Sequence, residues 1–195
     1  AEDGWHDVDV PRSWTRYEDC GDWDYSIYTN TQMPWQEGDN PSVPQAPTNY
    51  NPVGFYRKEF TVKPSMLQDN GRVLISFQGV ESAYYVYVNG HEVGYSEDSY
   101  RPHEFDITDY LNPQGEVNTL AVKVHKFCDG TWMEDQDMIY DGGIFRDVYL
   151  YSTPLVHISD YRVITDLDET YTNADLQLSP VVTNYATQDV SNFAI

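Results

Sequence analysis

The amino-acid sequence predicts an all-β protein organised around a β-sandwich of jelly-roll type. From Gly54 onward apolar and polar residues alternate with a period of two, the repeat that turns one face of a strand toward a core. Turn signals cut this alternation into short runs, with one long connection, 125–143, between two of them, as in a jelly roll. Helical character is confined to one short turn, Thr108 to Leu111.

Taken in order, residues 1–52 are rich in Trp, Pro, Asp and Asn, as in Asp39-Asn40-Pro41 and Ala46-Pro47-Thr48-Asn49, and lack sustained periodicity. They read as an extended N-terminal arm whose Trp5, Trp14, Trp23 and Trp35 carry too much apolar surface to stay in water and must pack on something. In the sandwich, 53–153, Tyr56, Phe60 and Val62 alternate with Arg57, Glu59 and Thr61, and Val73, Ile75 and Phe77 alternate around Leu74 and Ser76. Ala83 to Val88 is an aromatic and β-branched run closed by Asn89-Gly90, a strong hairpin signal, and His91 to Ser96 forms the return strand. Leu120, Val122 and Val124 line one face of a later strand, and Val148 and Leu150 do so for the strand that starts near Ile144. Pro154, just past the strand ending at Ser152, marks a boundary. Beyond it, in 154–195, Val156 to Ile164, Ala174 to Val182 and the terminal segment read as strands of a second, incomplete sandwich. Val190, Phe193 and Ile195 look like an unfinished strand, so the chain reads as a piece of something longer.

A length of 195 residues suits one sizeable core and part of another. The 40% hydrophobic and 22% charged residues describe a folding chain, and no apolar run is long enough to span a bilayer. With 11 basic against 32 acidic residues the formal charge is -21, which repels phosphate backbones and anionic lipid and so disfavours nucleic-acid and membrane partners. The two cysteines, Cys20 and Cys128, have no C-x-x-C spacing; they read as reduced thiols of a cytoplasmic protein. The histidines show no metal-ligand spacing.

The densest polar cluster is Asp129-Gly130-Thr131-Trp132-Met133-Glu134-Asp135-Gln136-Asp137-Met138, inside the long connection. Neighbouring carboxylates repel one another unless cations, donors or solvent offset the repulsion. Two readings stay open: a solvated loop, or a site for a hard cation or sugar hydroxyls, both of which suit carboxylate oxygens. The EF-hand order of ligands is missing, as are a nucleophile–base–orienter set and a phosphate-cradling glycine loop. The 17 tyrosines suit sugar stacking as well as packing; most fall on alternating strands, which favours packing.

Several motifs follow one another in a recognisable order: Asn51-Pro52-Val53-Gly54-Phe55-Tyr56, Phe77-Gln78-Gly79-Val80-Glu81-Ser82-Ala83, Val88-Asn89-Gly90, Val93-Gly94-Tyr95-Ser96-Glu97-Asp98-Ser99 and Glu104-Phe105-Asp106-Ile107. With Glu134-Asp135-Gln136-Asp137-Met138 and Gly143-Ile144-Phe145-Arg146-Asp147-Val148, the sequence resembles glycoside hydrolase family 2, and within it the large bacterial β-galactosidases rather than the glucuronidases or mannosidases. Upstream, Val8-Asp9-Val10-Pro11-Arg12-Ser13-Trp14 and Ile27-Tyr28-Thr29-Asn30 resemble the segment leading into the same domain.

The resemblance implies a galactose-binding-domain-like jelly roll followed by the start of an immunoglobulin-like domain, with the catalytic barrel and its two glutamates beyond Ile195. It implies that Asp137 helps to ligate a monovalent cation, sodium or potassium, and meets galactose hydroxyls, and that Asn30 reaches the same pocket from the arm. It further implies magnesium held by ligands outside this chain, a β-galactoside substrate and a homo-oligomeric parent enzyme. Ile139-Tyr140 departs from the family, whose members carry an aromatic directly after Asp-Gln-Asp-Met. The rival expectation is a free-standing carbohydrate-binding module without catalysis.

Overall fold

The period-two segments pair into two facing sheets. The structure, a computed structural model, describes residues 4–17, 23–36, 38–134 and 136–191, with Asp69 described by its backbone only. In chain order the strands are β1 (Ile27–Thr29), β2 (Val53–Phe60), β3 (Arg72–Phe77), β4 (Val80–Glu81), β5 (Ala83–Val88), β6 (His91–Ser96), β7 (His103–Asp106), β8 (Asn118–His125), β9 (Met138–Tyr140), β10 (Gly143–Ile144), β11 (Val148–Thr153), β12 (Val156–Leu167) and β13 (Ala174–Asn184). One sheet has the order β2-β8-β5-β6 and the other β11-β3-β7, with every neighbouring pair antiparallel. Between successive strands of these two sheets, every connection except the β5–β6 hairpin crosses from one layer to the other. The expected sandwich is therefore present.

Alternation places the core. Tyr84, Val86 and Val88 of β5 and Val122 and Val124 of β8 bury against Val73, Ile75 and Phe77 of β3, and Ile107 and Ile144 close the ends. Phe77, Tyr84 and Phe105 meet at ring separations of 5.0 to 6.1 Å. Burying each large apolar side chain here stabilises the fold by roughly 1.5–3 kcal/mol. The Asn89-Gly90 turn has φ of 52° and 82°, the paired positive values that a tight two-residue hairpin needs.

Helical turns are more frequent than the sequence suggested. Beside Thr108–Tyr110, 3-10 turns occupy Trp14–Arg16, Pro64–Asn70 and Asp129–Trp132. Pro64–Asn70 opens on a proline and lays Met66 and Leu67 on the core, and a run this short has no heptad-like pattern to read.

The arm packs on the sandwich through Trp14, whose ring fills a slot between two glycines. A Cβ on Gly54 would lie 2.6 Å from that ring and one on Gly142 2.5 Å from it. Backbone bonds from Arg12 N to Ile144 O (2.9 Å) and from Trp14 N to Gly142 O (3.1 Å) hold the ring there. Trp35 packs edge-on against Phe127 and Trp132, each at 5.3 Å. Trp5 and Trp23 differ from expectation, staying 38% and 46% exposed: Trp5 lies under the Arg57 guanidinium and Trp23 meets the His6 edge. A charged or polar ring partner satisfies them in place of a core.

Beyond Pro154 the structure shows one long hairpin, β12 with β13. Among the described residues no sheet faces it, and the anticipated third strand is not formed through residue 191. Phe193 and Ile195 lie outside the described residues, as do Cys20 and Asp135.

Candidate functional site

The site begins with a buried cation. Lys126, directly after β8, is fully buried; its ammonium donates to Asp24 Oδ2 and to the Tyr25 carbonyl, both at 2.7 Å. The Tyr25 and Tyr50 rings lie 5.7 and 6.0 Å from it. Asp24 also accepts Trp14 Nε1–H at 2.5 Å and the Tyr50 hydroxyl. Two charges removed from water are tolerated only when their polar atoms are matched in this way. The consequence is positional: the chain leaving Asp24 has a fixed start, and the next segment is β1.

β1 pairs antiparallel with β9 in the register Ile27↔Tyr140, Tyr28↔Ile139 and Thr29↔Met138. Asn30 follows the last residue of β1, and Asp137 precedes the first residue of β9, so each adjoins the terminal pair Thr29↔Met138. The segment that ends in Asn30, from the arm, thus pairs with the segment that starts after Asp137, from the long connection. Asn30 and Asp137 are both exposed. The Tyr28 hydroxyl donates to Asp137 Oδ1 at 2.8 Å, and this bond together with the carboxylate's charge raises the Tyr28 pKa. Among the described residues no other hydrogen bond reaches Asp137, and none engages the Asn30 amide.

The acidic cluster separates into distinct tasks. Glu134 is bound at both oxygens, by Ser99 N–H (2.7 Å) and the Ser99 hydroxyl (2.8 Å), which fixes where the loop begins. Trp132 Nε1–H donates to the Gln45 carbonyl at 2.8 Å and ties the loop to the arm. Asp129 lies with Glu97 and Cys128, their ligand-type atoms within 4.8 Å. Burial pushes the Cys128 thiol up, against thiolate ligation, and Glu97 already accepts Gly130 N–H at 3.3 Å. Asp135 is outside the described residues, which leaves Asp137 as the described cluster carboxylate that faces solvent beside an arm residue.

Asp141, just after β9, accepts from Ser26 Oγ (2.5 Å), Thr15 Oγ1 (2.7 Å) and Arg16 Nη2 (3.0 Å). Burial works to raise its pKa, but bonds from Ser26, Thr15 and Arg16 prevail and hold it below the usual carboxylate value. Buried Glu81 accepts Asp141 N–H (3.2 Å) and Gly142 N–H (2.9 Å), and burial, opposed by those two bonds, pushes it up to about 7. A large cleft of about 1000 Å³ lies elsewhere, between the arm and β2 and β11, and includes neither Asn30 nor Asp137. The chemically equipped surface is therefore an exposed rim rather than a cavity.

Residues 3–154 match the family described as glycosyl hydrolases family 2, sugar binding domain. The chain belongs to glycoside hydrolase family 2. It is 50% identical over 188 residues to a β-galactosidase of Priestia megaterium, which covers 96% of this chain and 17% of that protein. A Clostridium acetobutylicum β-galactosidase is 50% identical over 79% of the chain, and one from Vibrio cholerae 42% identical over 91%. The chain spans only about 17% of the length of such relatives. Among solved structures, a Bacteroides uniformis β-glucuronidase superposes with a TM-score of 0.68 over 93% of this chain and 19% of the other, at 22% identity, a likeness of fold.

The family 2 motifs led to Asp137 and Asn30 but not to Tyr28, Asp141 or the Asp24–Lys126 pair. A strand of three residues gives too little alternation to announce itself, so Tyr28 had no pattern to stand on. Lys126 carried at most a faint signal: with His125 it interrupts the apolar residues Val124 and Phe127.

Proposed function

We propose that the protein carrying this chain is a retaining glycosidase that hydrolyses terminal non-reducing β-D-galactosides such as lactose. In this reading the segment supplies Asp137 and Asn30 to the galactose pocket, and Asp137 to a sodium or potassium site. The observation that carries it is the bond from Tyr28, on β1 two residues before Asn30, to the exposed Asp137, which receives no other hydrogen bond from the described residues. A carboxylate accepts from sugar hydroxyls and an amide both donates and accepts, so the pair suits a polyhydroxylated ligand. The 50% identity to proteins named β-galactosidase supports the choice of galactoside.

The donor set fits a hard monovalent cation in type, since carboxylate oxygen is a hard ligand. Asp137 is one ligand, and we assign the remainder to the rest of the protein. When bound, the cation supplies a positive charge against which sugar hydroxyls are oriented. Two carboxyl groups about 5–5.5 Å apart flank the scissile bond in a retaining enzyme. We assign that pair, and the ligands of any magnesium, to the rest of the protein, and expect the segment alone to be inactive. Residues 1–52 then form an arm, 53–153 the sugar-binding jelly roll and 154–195 the start of an immunoglobulin-like domain. We also place the protein in the cytoplasm as a homo-oligomer; the buried free thiol of Cys128 suits a reducing compartment.

Asp137→Ala in the full-length protein tests this. A fall in kcat/KM of roughly a hundredfold or more, about 2.7 kcal/mol of transition-state stabilisation, with loss of the sodium or potassium response, is expected. Unchanged kinetics across both cations would sink the assignment. Saturable galactose binding by the 195-residue chain alone would favour a free-standing sugar-binding module.

A further inference from the structure

We infer that Asp141 is a positioning residue for the galactoside site, setting the β1–β9 register that brings Tyr28 and the following Asn30 segment to Asp137. The inference rests on the function proposed above and adds to it a residue that the motifs do not mark.

The argument starts from the shortness of the strand pair. β1 and β9 share three residue pairs, too few for ladder hydrogen bonds to specify one alignment. A slip of two residues would preserve the facing sides yet move Asn30 along the strand by about 7 Å. Something outside the ladder must fix the register. The ladder ends at Thr29↔Met138, next to Asn30 and Asp137, and at Ile27↔Tyr140, next to Ser26 and Asp141. There the structure has a built contact: Asp141 Oδ1 accepts from Ser26 Oγ at 2.5 Å and Thr15 Oγ1 at 2.7 Å, while Oδ2 accepts from Arg16 Nε at 3.1 Å and Nη2 at 3.0 Å. One carboxylate therefore grips the arm at Thr15 and Arg16 and again at Ser26, the residue before β1.

Asp141 is held in turn. Its own N–H and that of Gly142 both donate to Glu81 Oε2, on β4, at 3.2 and 2.9 Å. Gly142 and Gly143 adopt φ of 78° and 105°, a turn that aims the Asp141 side chain back at the arm. Since β4 also pairs with β10, the chain from Glu81 through Asp141 to Ser26 connects the sandwich to the site rim.

The test uses the full-length protein and the variants Asp141→Ala, Asp141→Asn and Arg16→Met. Calorimetry gives the Kd of an unhydrolysable thio-galactoside in sodium buffer, ²³Na NMR the sodium affinity, and thermal melts report folding. Asp141→Ala is expected to weaken both affinities roughly tenfold with a native melt, by loss of the charge-assisted bonds that align the strand. Asp141→Asn, whose Oδ1 still accepts both hydroxyls, is expected to recover most of the loss. Arg16→Met, which removes a half-exposed partner, is expected to change Kd by less than about threefold. Wild-type affinities in a folded Asp141→Ala protein would overturn the inference, as would an Asn variant as impaired as Ala. If the Ala variant does not fold, Asp141→Asn and Thr15→Val decide: wild-type Kd and sodium affinity in both overturns the inference, and graded weakening supports it. A wild-type protein that binds no thio-galactoside refutes the proposed function itself, whatever the variants do.

Discussion

Asp137 and Asp168 are both loop aspartates in an acidic chain, the first exposed and the second half-buried, and the structure treats them in opposite ways. Asp168, at the tip of the β12–β13 hairpin, accepts N–H groups of Thr170 (3.0 Å), Thr172 (3.0 Å) and Asn173 (3.1 Å), with the Thr170 hydroxyl and the Asn173 amide completing the set. Every donor comes from within five residues. Those bonds, led by Thr172 N–H and the Asn173 amide, hold its pKa far below the ordinary carboxylate value. Asp137 receives one bond among the described residues, from a tyrosine on a strand of the arm. A carboxylate that spends its oxygens on its own turn shapes a loop. One that is placed by a remote strand and left open has oxygens to offer a ligand.

The difference can be broken at its source. Lys126→Ala leaves Asp24 buried without its cation and is expected to destabilise the chain by about 3–5 kcal/mol, read by urea unfolding. Because β1 starts from that anchor, amide exchange should rise first at Ile27 to Asn30 and remain unchanged around Asp168. A uniform rise over both regions would show that the anchor is not specific to the site.

The next effect is a pH dependence. Glu81 has a folded pKa of about 7 against an ordinary 4.5, so the folded state holds its proton more tightly than the unfolded one. Stability contributed by the protonated carboxyl is complete below about pH 4.5, declines as pH rises toward 7 and is level above, an amplitude of about 3 kcal/mol. Glu81→Gln should flatten that slope. Asp141 has the opposite sign: its depressed pKa gives stability present above the unfolded value near 4 and lost as pH falls through the folded value. A Glu81→Gln chain that keeps the full neutral-range slope would refute the first assignment.

The smallest effect belongs to the hairpin. Asp168→Ala should speed amide exchange at Thr170, Thr172 and Asn173 while leaving galactoside Kd in the full-length protein unchanged. A changed Kd would mean that the two loops are coupled.

Much of the sandwich was legible because period-two alternation is a local signal of a nonlocal fact. Val73, Ile75 and Phe77 announce a buried face, and Asn89-Gly90 announces its hairpin, without reference to any partner strand. The Pro64–Asn70 turn was not legible, since its apolar residues are too few to show a period. In the site, Asp137 and Asn30 were named through motif order. Nothing in their separate segments says that the strands beside them pair.

The sequence by itself determined the all-β fold class, the two alternating layers and the acidic composition, and its family 2 motifs pointed to Asp137 and Asn30 as candidates. Tertiary structure alone decided that β1 pairs with β9, that Tyr28 donates to the Asp137 carboxylate, and that Lys126 and Asp24 share one buried site although they are 102 residues apart. The physical reason is one of range. Alternation and turn preference act over a few neighbouring residues, whereas strand register and the matching of buried charge depend on partners far away along the chain, which only the folded chain brings together.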